Sequence, residues 1–126
     1  MEKASAIEMM SFLDKSKTPF HAVKESIAIL KGAGFEEIFP DKKWNLEKSK
    51  GYYIDYGSAI MAFKIYTEDG GYHIIGSHTD SPSIMIKPNA IIKENGYVKL
   101  NSEIYGGPIL NTWLDRPLSI AGKVVL

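Results

Sequence analysis

"GYYIDYGSAIMAFKIYTEDGGYHIIGSHTDSP", residues 51 to 82, decides the fold, because here the apolar spacing changes from helical to a period of two. "YYIDYG", "SAIMAFKIY" and "YHIIGSH" each read as a strand. The last two are joined across Thr67-Glu68-Asp69-Gly70-Gly71 as a hairpin, with glycines supplying positive φ. Ile74 and Ile75 make the third run apolar on both faces, the pattern of a strand covered on both sides. His78 is therefore expected at the carboxyl end of a central strand.

Upstream the spacing is helical. Ile7, Met10 and Leu13, with Met9 and Phe12 beside them, predict an opening amphipathic helix. In "KTPFHAVKESIAILKGAG", residues 17 to 34, Thr18 suits a cap and Pro19 the first helical position, where a missing N–H costs nothing. Phe20, Val23, Ile27 and Leu30 make one stripe, and Gly32 and Gly34 stop the helix. Downstream, "AIIKENGYVKL", residues 90 to 100, is a second hairpin turning at Asn95-Gly96, a type I′ signal. Two helices followed by a mixed sheet make an α/β fold. The final "AGKVVL" reads as the start of a buried strand that stops without a turn or polar tail, which points to a fragment of something longer.

The 126 residues suffice for one ordinary domain, and no run of about 18 apolar residues is present to span a membrane. Glu2 and Glu8 interrupt the basic-then-apolar order of a signal peptide, so a cytoplasmic protein is the default expectation. Fifteen basic and fifteen acidic residues cancel and are interspersed, which argues against nucleic acid as a partner. Cysteine is absent, leaving His, Asp and Glu as the strong ligands for a divalent metal.

"GSHTDSPSIMIKPN", residues 76 to 89, carries the first candidate chemistry. In an H-x-D triplet the histidine binds a metal through one ring nitrogen while a carboxylate accepts from the other, fixing the tautomer. His78-Thr79-Asp80 has that spacing if the Ser81-Pro82 turn brings Asp80 back. The triplet alone favours a plainer role: a strand-end cap at His78 and an Asx turn at Asp80 before proline. His21, in the first turn of the second helix, reads as a packed or capping residue, and His73 as structural. Asp55, Glu68, Asp69, Glu103 and Asp115 are carboxylates without ligand spacing, whereas catalytic zinc takes about three protein ligands. "YGGPILNTWLDRPLSIAG", residues 105 to 122, reads as an ordered corner over Trp113, with Arg116 paired locally. No G-x-S-x-G surrounds Ser58, Ser77 or Ser81, and no P-loop is present.

Taken in order, "TPFHAVKE", "GAGF", "GSAIMAFKI", "GSHTDSP", "KP" and "YGGPILNTWLDRPLSIAGKV" resemble the amino-terminal part of the M18 family of metalloaminopeptidases, the aspartyl aminopeptidase family. The resemblance runs from about Phe12 to the last residue. It implies a metal-dependent enzyme that removes the amino-terminal residue from peptides, acidic residues being one candidate preference. It also implies a two-metal centre, most simply of zinc, that activates water and polarises the scissile carbonyl. His78 would be the metal ligand and Asp80 the carboxylate at the catalytic site that orients it. The remaining ligands and the general base would come from later sequence, so the fragment itself should be inactive. The family fold places residues 1–91 in the peptidase α/β domain and 92–126 at the start of an inserted β-rich dimerisation domain. It implies homo-oligomeric shells of dodecamer type and peptide substrates; with balanced charge and no membrane-spanning run, neither nucleic acid nor membrane is expected as a partner. For Trp113 to Arg116 it supplies no role. The competing expectation is a complete, non-catalytic domain used for self-association. A weaker one is a serine hydrolase pairing Ser77 or Ser81 with His78.

Overall fold

The structure, a computed structural model, describes residues 2–67 and 70–126. It divides into two compact units, Met1–Thr79 with Ala121–Leu126, and Asp80–Ile120.

In the first unit, α1 (Glu2–Lys15) precedes α2 (Pro19–Gly32). Thr18 caps α2 as expected: its hydroxyl accepts from the His21 N–H and lies 2.8 Å from His21 Nδ1, so His21 is a capping residue. Gly34, at φ +81°, takes the left-handed conformation just past the helix end. The sheet that follows is mixed. β1 (Glu36–Glu37) runs parallel to β2 (Gly51–Asp55), and β2 pairs antiparallel with β3 (Ile60–Lys64), with Tyr52 opposite Phe63.

The core forms where α2 meets β2. Ala22 and Val23 from the helix and Tyr52, Tyr53 and Ile54 from the strand are buried. Each of the larger side chains stabilises by about 1.5–3 kcal/mol when fully covered. Burial of the two tyrosines is tolerable because both phenols find partners. Tyr53 donates to Glu37 Oε2 at 3.2 Å, and Tyr52 accepts from the Glu47 N–H at 2.8 Å. The Tyr52 ring also packs at 5.8 Å on Phe63, which Trp44 flanks at 6.2 Å.

Three expectations are corrected. Residues 72–78 form no strand, and Ile74 and Ile75 are 87% and 98% exposed, so His78 does not end a central strand. A strand apolar on both faces is stable only within a sheet and between layers, and the described residues supply it with neither a pairing strand nor a covering helix. The expected turn at Thr67 to Gly71 includes Glu68 and Asp69, which lie outside the described residues. "AGKVVL" is likewise exposed and unpaired as a strand, with Lys123 Nζ 5.5 Å above the Phe20 ring. The α1 stripe forms on a helix but stays open to solvent at Ile7, Met10 and Leu13. Among the described residues no helix is long and apolar enough to cross a membrane.

The second unit is a long hairpin, β4 (Ser83–Glu94) and β5 (Tyr97–Tyr105), followed by a 3-10 turn at Leu110–Thr112. Asn95 and Gly96 have φ of +50° and +79°, the two positive values a type I′ turn demands. The ladder is regular from that turn to Ile91 opposite Leu100, and again from Ile86 opposite Ser102 to Ser83 opposite Tyr105. Between them β4 carries residues 87–90 against Asn101 alone. Pro88 lies in this irregularity, where its missing N–H removes no ladder bond, and Asn101 Nδ2 bonds Asn89 O at 3.1 Å across it. The boundary expected after Ile91 falls inside β4.

Candidate metal centre

His78, Thr79 and Asp80 are held by different means. His78 is exposed. Thr79 next to it is pinned, its Oγ1 donating to Ser58 O at 2.7 Å. Ser58 belongs to the tight turn between β2 and β3. There Asp55 Oδ1 accepts from the Gly57 N–H at 2.6 Å, Gly57 takes φ +82°, and the Tyr56 N–H reaches Ala59 O at 2.9 Å. This is an Asx turn closing a hairpin, so Thr79 is tied to the rim of that sheet although its own segment is not a strand.

Asp80 is half-buried in the hairpin unit and accepts from the Tyr105 phenol at Oδ2, 2.5 Å away. The proton stays on the phenol: the hydrogen bond to Asp80, and then the charge of that carboxylate, raise the Tyr105 pKa above its ordinary value. Tyr105 opens the Y-G-G sequence, and the glycine after it, Gly106, takes φ +72° beside Pro82. A Cβ on Gly106 would meet the proline at 3.5 Å, an ordinary contact, so the backbone angle rather than space calls for glycine. D-S-P and Y-G-G, separate in sequence, thus meet at the mouth of one hairpin.

Sequence reasoning named His78 and Asp80 as site residues and gave no role to Thr79 or Tyr105, which the structure shows bonded at Ser58 and Asp80. The signal for Tyr105 was present in Y-G-G, but counting outward from Asn95-Gly96 without the irregularity at Pro88 places Tyr105 opposite Ile86 instead of Ser83. The corner at Trp113 is as expected in outline: Trp113 is half-buried and Arg116 Nη1 donates to Thr112 O at 3.2 Å, while Asp115 takes φ +53°. His73 is exposed.

For a metal, the donors suit zinc in kind: an exposed imidazole, no competing thiolate, and a carboxylate two residues on. They are too few for a complete set. Among the described residues no group of three or more His, Asp and Glu is placed to hold an ion.

Comparison with known proteins bears on what would complete it. The family described as aminopeptidase I zinc metalloprotease (M18) matches residues 12–126. A protein named "Probable M18 family aminopeptidase 2" from Clostridium novyi (strain NT) is 50% identical over 126 residues, covering 96% of this chain and 29% of that protein. A "Probable aspartyl aminopeptidase" from Ricinus communis is 37% identical over 123 residues, covering 94% of this chain and 25% of its own length. Among solved structures, the cryo-EM structure of the Ape4 and Nbr1 complex superposes with a TM-score of 0.84 at 32% identity, over 90% of this chain and 23% of that one. The chain thus spans under a third of the length of these relatives.

Proposed function

This chain belongs to the M18 family of zinc metalloproteases, and from that premise we propose that it forms the amino-terminal part of a metal-dependent aminopeptidase. The protein would hydrolyse the amino-terminal residue from peptides at a two-metal centre. The observation that carries this reading is the match along residues 12–126, which runs through His78-Thr79-Asp80 and Tyr105-Gly106-Gly107.

His78 would give one ring nitrogen to the metal, and its other nitrogen, as N–H, would donate to Asp80, fixing the tautomer and making the ligand more basic. Thr79, held to Ser58, fixes the backbone between them. Zinc, when bound, supplies Lewis acidity and a water that ionises near neutral pH. With one imidazole against the about three protein ligands of a catalytic zinc, the 126 residues alone turn over no substrate. Residues 1–91 belong to the peptidase domain in this reading, and residues 92–126 begin an inserted β-rich domain through which copies associate into a shell of dodecamer type. A two-stranded ribbon is marginal by itself, and the apolar side chains of β4 and β5 that stay exposed, among them Ile91, Val98 and Ile104, fit a hairpin that continues into more sheet. Acidic amino-terminal residues are the proposed preference, in line with the name of the Ricinus relative. The cytoplasm is the proposed location.

The test is turnover of aminoacyl chromogenic substrates by the protein expressed from its complete reading frame. Chelation should abolish activity, and zinc, cobalt or manganese should restore it, with aspartyl and glutamyl substrates preferred. Activity indifferent to chelators, or turnover by residues 1–126 alone, contradicts the reading.

A further inference from the structure

We infer that the turn joining β2 to β3 is the mount of the metal-binding histidine, with Asp55 and Thr79 as its positioning residues. Asp55 shapes the turn, the turn presents the Ser58 carbonyl, and Thr79 bonds that carbonyl one residue after His78. This rests on the proposed role of His78 as a metal ligand and extends it to the chain of contacts that places the ligand's backbone.

A metal ligand has to be held within about 0.5 Å of its place, preferably from a rigid element. Residues 72–78 are not themselves a strand, so the ladder of a sheet does not give them that rigidity. The Thr79 hydroxyl ties the segment from the side. Its Oγ1 donates to Ser58 O at 2.7 Å across 21 positions of sequence, and both residues lie in the first compact unit. Threonine suits the task, because its branched Cβ restricts χ1 and a bonded hydroxyl then also fixes the Cα that bears it. One planar peptide, about 3.8 Å between Cα atoms, leads from there to His78.

The acceptor is held in its turn by Asp55. Strand β2 is buried from Gly51 to Ile54 and ends at Asp55, opposite Ile60, so the chain reverses through Tyr56, Gly57, Ser58 and Ala59. Asp55 Oδ1 accepts from the Gly57 N–H at 2.6 Å, with Gly57 at φ +82°. The Ser58 N–H bonds Tyr56 O at 3.1 Å and the Tyr56 N–H bonds Ala59 O at 2.9 Å. Groups on either side of the Ser58 carbonyl are therefore engaged within the turn, and that carbonyl is the one given to Thr79. Asp55 itself is exposed, so core packing does not account for a carboxylate at this position.

Cobalt(II) affinity and visible spectrum, measured on the protein from its complete reading frame, test the inference. Thr79→Val keeps the branched Cβ and removes only the hydroxyl. It should lose about 10-fold in affinity, the lower end of the range for residues that orient a ligand without touching the metal, with a shifted spectrum. Thr79→Ser, which keeps the hydroxyl, should recover most of the loss. Asp55→Ala should move affinity and spectrum in the same direction, and Asp55→Asn, whose side-chain oxygen still accepts from Gly57, should stay near the wild type. In a Thr79→Val background Asp55→Ala should have no further effect, because the two act through one bond. Thr18→Ala, which loosens the same unit at the α2 cap, should leave cobalt affinity at the wild-type value.

Wild-type affinity and spectrum in Thr79→Val or in Asp55→Ala overturn the inference. So do a Thr79→Ser variant no better than Thr79→Val, full additivity of the two losses, or an equal loss in Thr18→Ala. If His78→Ala itself leaves cobalt binding intact, the metal-centre reading fails. If His78→Ala weakens binding while Thr79→Val does not, that reading stands and only the mount falls.

Discussion

Gly51 lies against Phe35 so closely that a Cβ on it would fall 2.7 Å from the Cγ, Cδ1 and Cε1 atoms of the ring. The contact joins the first residue of β2 to the segment leaving α2, and it involves the root of the ring as well as its edge, so rotation about one bond does not relieve it. Gly51→Ala should destabilise the protein by about 1–3 kcal/mol, the ordinary cost of overpacking, and lower the urea midpoint. An unchanged midpoint would mean that the α2–β2 core closes without this contact.

Helix α2 depends on its cap. Thr18→Ala removes the oxygen that serves the His21 N–H and ring, and should cost about 1 kcal/mol. Far-UV circular dichroism through a denaturant titration reads the loss, and Thr18→Ser should recover most of it. Equal stability of the Ala and Ser variants would remove the cap from the account of the fold.

The hairpin register depends on its turn. Gly96 takes φ +79°, which an L-residue adopts at a cost of about 1 kcal/mol or more, so Gly96→Val should speed amide exchange along β4 and β5. Exchange in β2 should stay slow. Uniform acceleration in both would show that the two units do not open separately.

Alkaline pH should act through Tyr105 and Lys50. The hydrogen bond to Asp80 raises the Tyr105 pKa, and hydrogen bonds to Glu36 and Glu47 raise that of Lys50, whose Nζ lies 2.8 Å and 3.3 Å from the two carboxylates. Both groups hold their protons more tightly in the folded chain. Their contributions to stability are therefore complete below the unfolded values, at about pH 10, and are lost as pH rises through the folded ones. Tyrosinate absorbance, taken as the difference between proteins with and without Tyr105→Phe, should show Tyr105 ionising at lower pH after Asp80→Asn. No movement of that ionisation would place the phenol away from the carboxylate.

Much of this was legible because it is local. Thr18, Pro19 and Gly34 mark α2 by capping chemistry that involves only neighbours, and Asn95-Gly96 forces its turn by backbone angle alone. Residues 72–78 show where local reading stops. Tyr72 to Ile75 have the composition of a buried strand, but a strand exists by pairing, and the described residues provide no partner. Tyr105 was hidden for another reason: its position depends on a register shift at Pro88, and nothing in the alternation of side chains states how many residues such a shift inserts. His78 and Asp80 were visible as a triplet, but spacing alone left a strand-end role ahead until the wider motifs were set beside it.

The most direct measurement is anomalous scattering at the zinc edge from crystals of the protein expressed from its complete reading frame. The expected result is a zinc ion about 2.0–2.1 Å from an imidazole nitrogen of His78, with a second zinc about 3.5–4 Å from the first. Zinc sites that leave His78 unligated would contradict the assignment of this chain to a two-metal aminopeptidase centre.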